Sequence, residues 1–369
     1  MSEHRGPRTV GVEEELLLVD PLTGVPRAVA ASMLRRAAAD PVTDASPSDG
    51  DIEAELQQQQ IEVETSPCTR MDDLERQIRD WRRYADDLAR RSDARIAALA
   101  TSPLPVAPQT MVKPRYRRMV ERFGLTTMEQ LTCGCHVHVG VRDDDEGVAV
   151  IDGLQRWLPA VLALSSNSPF WQGRDSGYAS YRSQVWSRLP CTGATAAFGD
   201  AESYRDQVER LVASGVLLDA DMVYFNARLS RHYPTVEIRI ADVCLRAEDT
   251  IMIAALARAL VDVEAAIGRS TVPVDRELVR LAHWQASRDG LRGRLLCPVE
   301  SRPLPAADVI TALVDHVDDA LERNGDRERV RAGIARVLGR GTGADLQREL
   351  LQRGGAEQAM RSMIDMTLD

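Results

Sequence analysis

The sequence has almost no lysine: Lys113 is the single one among 46 basic residues, so nearly all its positive charge is arginine. Contacts to phosphate or carboxylate must therefore come from arginine forks or metal ions, because an ammonium group is scarcely available. No apolar run reaches the roughly 18 residues of a membrane-spanning helix, and no apolar segment follows the charged residues at the N-terminus. No membrane association or secretory leader is expected, and the expected location is the cytoplasm. Six cysteines in 369 residues are too sparse for a disulfide scaffold. Cys133-Gly-Cys135 lacks the two-residue spacer of a zinc knuckle or redox pair, so the thiols are expected to be reduced and mostly buried. Basic residues are also outnumbered, 46 against 56 acidic, giving a formal charge of -10. That balance argues against nucleic acid as a partner and toward small molecules. A Walker loop is missing too. Gly339-Arg-Gly-Thr-Gly343 follows a helical pattern where a dinucleotide fingerprint would follow a strand, and it reads as a helix terminus and loop.

What is present is a set of charged strands. Thr9 to Asp20 carries Glu13-Glu14-Glu15 between apolar residues, although burying ionised carboxylates without partners costs several kcal/mol each. Alternation sends Glu13 and Glu15 to one face and Glu14 to the other. Two carboxylates roughly 7 Å apart on one face suit divalent cations, and an exposed edge strand is the alternative. Glu14, on the apolar side, is expected to pair with an arginine.

Three further segments repeat this division into one apolar and one polar face. Gln57 to Thr65 puts Glu62 and Glu64 opposite Ile61 and Val63. Thr132 to Val141 puts Gly134, His136, His138 and Gly140 opposite cysteine and valine. Tyr224 to Ser230 and Thr235 to Asp242 form a hairpin offering Arg228, Glu237 and Arg239. If the strands are neighbours, carboxylates, imidazoles and guanidiniums line one surface. Oxygen ligands with one or two histidines suit Mg²⁺ or Mn²⁺ better than zinc, and cations ringed by arginine suit a polyphosphate. For His136-Val-His138 alone, histidines bonded to nearby carboxylates are the competing reading, and His138 could equally orient a ligand.

Elsewhere helices are expected over Ala28 to Asp40, from Thr69 with a capping-box-like start, over Lys113 to Phe123, and over Val148 to Leu164, which is apolar almost all round. Further helices are expected over Glu202 to Ser214 and throughout the chain after Ala247. Met71, Leu74, Ile78, Trp81, Ala85 and Leu88 form a core stripe. Thr43 to Asp51 and Arg142 to Gly147 read as polar loops, Arg95 to Ala100 as a strand or helix end, and Asn167 to Arg182 as a binding loop. The arginines of the Lys113 helix are expected on a solvated face. No repeat and no clear linker divides the chain, which favours one α+β domain over 1–369, with its sheet-forming part over 9–245 and a helical part over 247–369.

Five motifs also resemble a family. Gly11-Val-Glu13-Glu-Glu15, Gln60-Ile-Glu62-Val-Glu-Thr-Ser-Pro67, Gly134-Cys-His136-Val-His138-Val, Gly177-Tyr-Ala-Ser-Tyr-Arg182 and Val236-Glu237-Ile-Arg239 follow the order and spacing of the type 2 glutamate–cysteine ligases, nearest their bacterial carboxylate–amine ligase branch. The resemblance implies a glutamine synthetase-like fold, a curved antiparallel sheet with helices on its outer face and the active site in the funnel. It implies ATP-dependent joining of an amine to a side-chain carboxylate through an acyl phosphate, with Mg²⁺. Glu13, Glu15, Glu62, His136 and Glu237 are the implied metal ligands, and Arg239 the phosphate contact. Arg182 and Arg228 are candidates for phosphate or the substrate carboxylate. Glu55 matches an acidic, nucleotide-side position, although strict alternation puts it on the wrong face unless a bulge intervenes. A metal-dependent hydrolase using His-x-His and a catalytically silent nucleotide-binding protein are the alternatives. The acceptor amine is left open, and the long helices leave room for a homodimer.

Overall fold

Glu14 and its apolar neighbours set the architecture. In a computed structural model describing residues 6–39, 47, 50–269 and 275–369, Thr9 to Asp20 becomes strand β1 (Val10–Val19) inside a seven-stranded sheet. The other strands are β2 (Gly50–Ala54), β3 (Gln60–Thr65), β4 (Arg95–Ala97), β5 (Gly134–Gly140), β6 (Ala227–Leu229) and β7 (Thr235–Asp242). Their order is β6-β7-β5-β1-β3-β2, with β4 also paired to β1, and every pairing is antiparallel. The sheet stays open, with β6 and β2 at its ends.

One face of this sheet is buried under helices. Helix Met71–Arg90 packs on β3 and β4, helix Ala247–Ile267 on β5, and helix Gly343–Leu368 on β4. All six residues of the expected stripe, Met71 to Leu88, are buried. The chain is therefore α+β, with helices on the apolar side of an antiparallel sheet and the polar side left as the wall of a funnel. On the apolar side Glu14 meets the fully buried Arg82 through two hydrogen bonds of 2.8 and 2.6 Å. Arg82 also donates to the carbonyls of Cys244, Leu245 and Thr367, and Thr250 Oγ1 donates to Glu14. One ion pair thus joins β1 to three helices and to the chain just beyond β7.

The structure departs from the sequence reading at several boundaries. The stretch Val148 to Leu164 is two helices, Asp144–Leu154 and Leu158–Ser165, bent by 71°. Pro159, at the start of the second, cannot donate to a continuous helix. The first starts within the expected polar loop because Asp143 caps it, accepting from Glu146 N at 2.9 Å. No single helix is long and apolar enough to cross a membrane among the described residues. Helix Met71–Arg90 has Arg70 at its N-cap without a side-chain cap, so the capping box expected from Thr69 does not form. The expected helix from Ala28 begins at Ala30, and Asp40 lies outside the described residues, as does most of the Thr43 to Asp51 loop; its end, Gly50 and Asp51, belongs to β2. Arg95–Ala97 is a strand. Gly341, at φ 92, ends helix Arg327–Arg340 ahead of a capping box at Thr342, so the glycine cluster is the terminus it was read to be. None of the six cysteines is in a disulfide, and five of them are buried.

Candidate active site

Antiparallel register brings the charged residues into rows. Glu15 stands opposite Glu62 across β1 and β3, and Glu13 stands opposite Glu64 on that side and His136 on the other. His138 stands opposite Glu237, which stands opposite Arg228 in the hairpin. These side chains share one face because the strand period is two.

Three groups of ligand atoms result, each within 4.8 Å: Glu13, Glu62 and His136; Glu13, His138 and Glu237; and Glu15, Glu55 and Glu62. Glu13 and Glu62 each belong to two groups, so the three form a continuous row. Glu55 joins because β2 ends at Ala54 and β3 starts at Gln60, so it sits in the connection between strands and escapes their alternation. His136 Nδ1 lies 2.9 Å from Glu13 Oε2, while the ring's buried Nε2 has no hydrogen-bond partner. His138 Nε2 lies 2.9 Å from Glu13 Oε1, and its Nδ1 is 3.0 Å from Thr235 Oγ1. An unpartnered buried imidazole nitrogen beside carboxylates is the donor set of a hard divalent cation, so the residues fit one.

The electrostatics point the same way. Burial raises Glu62 well above the usual carboxylate range, and the crowding of Glu55, Glu13 and Glu15 adds to it. Burial, followed by the charge of Glu55, raises Glu15 to about 7, and burial also raises Glu55. Glu13 behaves oppositely: burial opposes its charge, but His136 and His138 outweigh it and hold the carboxyl well below the usual range. Burial and the charge of Arg239 lower His136 to about 4, which leaves a neutral imidazole able to ligate. Like-charged carboxylates held this close are stable only when protonated or neutralised by cations.

Arginines close the row. Arg239 donates to Glu237 through Nη1, and Arg228 donates to the same carboxylate at 2.6 and 3.2 Å. Although burial opposes its charge, these arginines hold Glu237 down at about 2. Arg228 also donates to the carbonyls of Asp221 and Val223, so it orients Glu237 more than it offers a free guanidinium. Arg182 reaches the site from the Asn167 to Arg182 loop, which folds around the fully buried Asp242. That carboxylate accepts from Asn167 N, Ser168 Oγ and Ser180 Oγ at 2.8, 2.7 and 2.8 Å and lies 3.9 Å from Arg182 Nη1. Trp186 stacks near both guanidiniums, 5.8 Å from Arg182 and 5.9 Å from Arg239. Gly134 leaves room for Arg182, since a Cβ there would collide with its guanidinium.

Three cavities open around the row. One of about 740 Å³ lies at Glu13, Glu64 and His138. One of about 210 Å³ lies at Glu15, Glu55, Arg115, Tyr116 and Arg239, and one of about 640 Å³ continues past Arg182 and Arg239. Sequence reading placed the arginines of the Lys113 helix on a solvated face, but Arg115 is half-buried in the smallest cavity and paired with Asp219 at 2.8 Å. Asp242, the last residue of β7, and Trp186 were not singled out. Asp242 follows Arg239 in one strand, a signal that was legible. The role of Trp186 depends on tertiary packing alone.

Solved structures share this fold. Glutamate–cysteine ligase from Francisella tularensis, solved with AMP, superimposes with a TM-score of 0.70 over 99% of this chain and 89% of its own, at 12% identity. A bifunctional glutathione synthetase from Pasteurella multocida gives 0.68 over 98% of this chain at 17% identity, and this chain spans about half, 52%, of that longer protein. In sequence, a Streptomyces avermitilis protein assigned the name glutamate–cysteine ligase 2-1 is 51% identical over 352 residues, 95% of this chain and 96% of that one. The sheet and its acidic row lie within residues 9–366, the span that matches the model of glutamate–cysteine ligase family 2, and the chain belongs to that family.

Proposed function

We propose that the protein joins an amine to a carboxylate at the expense of ATP, activating the carboxylate as an acyl phosphate, with glutamate the first donor to test. Membership of the family makes the chain an ATP-dependent carbon–nitrogen ligase. The observation that carries the finer reading is the row of three acidic groups ending at Arg239 and Arg182. A carboxylate is a poor electrophile, and its oxygen attacks the γ-phosphorus of ATP only where negative charge is neutralised on both partners.

In this reading Glu13, Glu62 and His136 would hold one cation, Glu15 and Glu55 with Glu62 a second, and Glu13 with His138 and Glu237 a third. Mg²⁺, or Mn²⁺ in its place, would screen the phosphates and orient the transferring group. Arg239 would stabilise charge on the phosphoryl group as ADP leaves, and Arg182, fixed by the Asp242 loop, would hold a carboxylate or phosphate oxygen. Arg228 would keep Glu237 ionised and aimed. The amine nitrogen then forms its bond to the acyl carbon, phosphate leaves, and the nitrogen gives up a proton. No protein nucleophile is required, consistent with cysteines that burial keeps as thiols.

The cavity at Glu13, Glu64 and His138 would take the nucleotide, since its carboxylates border the cation sites. The test is coupled: purified protein, ATP, Mg²⁺, glutamate and a panel of amines. ADP release that depends on both glutamate and an amine supports the reading. ATP-independent hydrolysis of an amide, with bound transition metal found by elemental analysis, would favour the hydrolase instead.

A further inference from the structure

The cavity of about 640 Å³ beyond Arg239 is chemically unlike the other two. Arg182, Arg239, Arg276 and Arg280 line it, and no aspartate or glutamate does among the described residues. Trp186, Trp284 and Leu281 supply apolar surface, and Trp284 and Leu281 stand half exposed at 50% and 58% where helix Arg276–Asp289 borders it. Arg239 pairs with Glu237 and Arg280 with Glu277 at 3.0 Å outside the cavity, so a pocket walled by four guanidiniums and two indoles suits a ligand with a carboxylate at one end and an apolar or planar body.

A buried polar group supports the same ligand. His283, on the inner side of helix Arg276–Asp289, is 9% exposed and lines the cavity. Its Nδ1 lies 3.1 Å from Asn226 Nδ2, an amide donor, so Nδ1 accepts and the proton belongs on Nε2. Nε2 is buried and has no hydrogen-bond partner. Burial lowers the imidazole to about 4, so it stays neutral and serves as an N–H donor at ordinary pH. A buried donor without an acceptor costs about 1–3 kcal/mol, which a bound carboxylate oxygen would relieve.

Which substrate belongs here follows from the neighbouring cavities. The carboxylate to be phosphorylated must reach the cation row, and the 210 Å³ cavity does so, bordered by Glu15 and Glu55 of that row and by Arg115 and Arg239, which match carboxylates. Arg239 and Trp186 line both this cavity and the 640 Å³ one, so a nucleophile in the larger cavity would face the activated carbon at their boundary. We infer that the pocket under helix Arg276–Asp289 holds the amine substrate, and that this substrate is an amino acid with a free carboxylate and an apolar or aromatic side chain. Arg276 and Arg280 would draw in the carboxylate, His283 Nε2 would fix it, and the indoles would cover the side chain. This inference rests on the ligase reading for its assignment of the pocket to the amine, but the ligand chemistry can be tested without turnover.

The experiment compares phenylalanine, leucine and cysteine with phenethylamine, 3-methylbutylamine and cysteamine, by calorimetric titration into protein with Mg²⁺ and ADP and by amine-dependent ADP release from ATP and glutamate. Phenylalanine or leucine should bind and react at least tenfold better than its decarboxylated counterpart, and better than cysteine. R276A/R280A, on the exposed side of the helix, should raise the KM for the amino acid at least tenfold while the KM for ATP stays within twofold. His283→Leu should do the same, and His283→Gln, which keeps a donor, should recover part of the affinity. Decarboxylated amines that match their parents, or an arginine double variant with an unchanged amine KM, would overturn the inference and leave the ligase reading standing. Carboxylate-selective binding sensitive to the same variants, without ADP release from any amine, would retain the pocket and its ligand and remove the ligase reading.

Discussion

Glu15, buried, and Glu62, half-buried, face each other across two paired strands, with Glu55 close enough to share a ligand site. Burial, followed by the charge of Glu55, raises both carboxyls, Glu15 to about 7. A group whose folded pKa lies above its unfolded value binds an extra proton in the folded state. The stability it contributes is present below the unfolded value, near 4.5, and is lost as pH rises through the folded one. Without divalent cations the protein is therefore expected to lose thermal stability between about pH 5 and pH 8. Mg²⁺ should replace the protons, so it should raise Tm more at pH 8 than at pH 6. Differential scanning fluorimetry with EDTA or Mg²⁺ at both values checks this, and an equal Mg²⁺ effect at the two would refute it.

On the opposite face of the same strand, Glu14 and Arg82 make a different prediction. Removing one partner of a buried ion pair leaves an uncompensated charge and costs about 3–5 kcal/mol. Glu14→Leu or Arg82→Met should lower Tm by on the order of 10 °C. Mg²⁺ should still stabilise both variants, because neither residue faces the acidic row. Loss of the Mg²⁺ response alongside the drop in Tm would mean that the two faces are not independent.

Gly134 tests whether the position of Arg182 matters. Gly134→Ala adds one methyl group that must displace the guanidinium or the strand. A shift near 1 Å at a positioned group costs about 100-fold in kcat, so turnover should fall by at least about that factor. Wild-type turnover in this variant would show that Arg182 does not act in the reaction.

Arg239→Lys addresses the phosphate contact. A lysine keeps the charge but loses the planar fork that Glu237 and the site share. By analogy with the loss of one preorganised donor at a reacting group, kcat should fall about 10²–10³-fold, with a smaller change in the KM for ATP. Steady-state kinetics at saturating Mg²⁺ decide it.

Much of this site was legible because a strand period of two is a strong constraint. Glu13, Glu15, Glu62, His136, Glu237 and Arg239 fall on one face from their own strands alone, and Glu14 is assigned to the other. Glu55 resisted because its position depends on where β2 ends, and Gly50-Asp-Ile-Glu-Ala54 has a single large apolar residue to mark it as a strand. Arg115, Asn226, His283 and Trp186 lie on separate elements, and only long-range packing brings them to the cavities. The bend between Leu154 and Leu158 was carried in the sequence by Pro159, beside Gln155 and Arg156, which the largely apolar pattern around them concealed.

The most direct test is ADP release by the purified protein with ATP, Mg²⁺ and glutamate, measured with and without an amino acid as the amine, beside Glu13→Gln, which weakens two of the three ligand groups at once. The account predicts release that requires both substrates and Mg²⁺, with an amide product of matching stoichiometry, and a large loss in the variant. Unchanged product formation in Glu13→Gln, or no release with any amine over a broad panel, would contradict it.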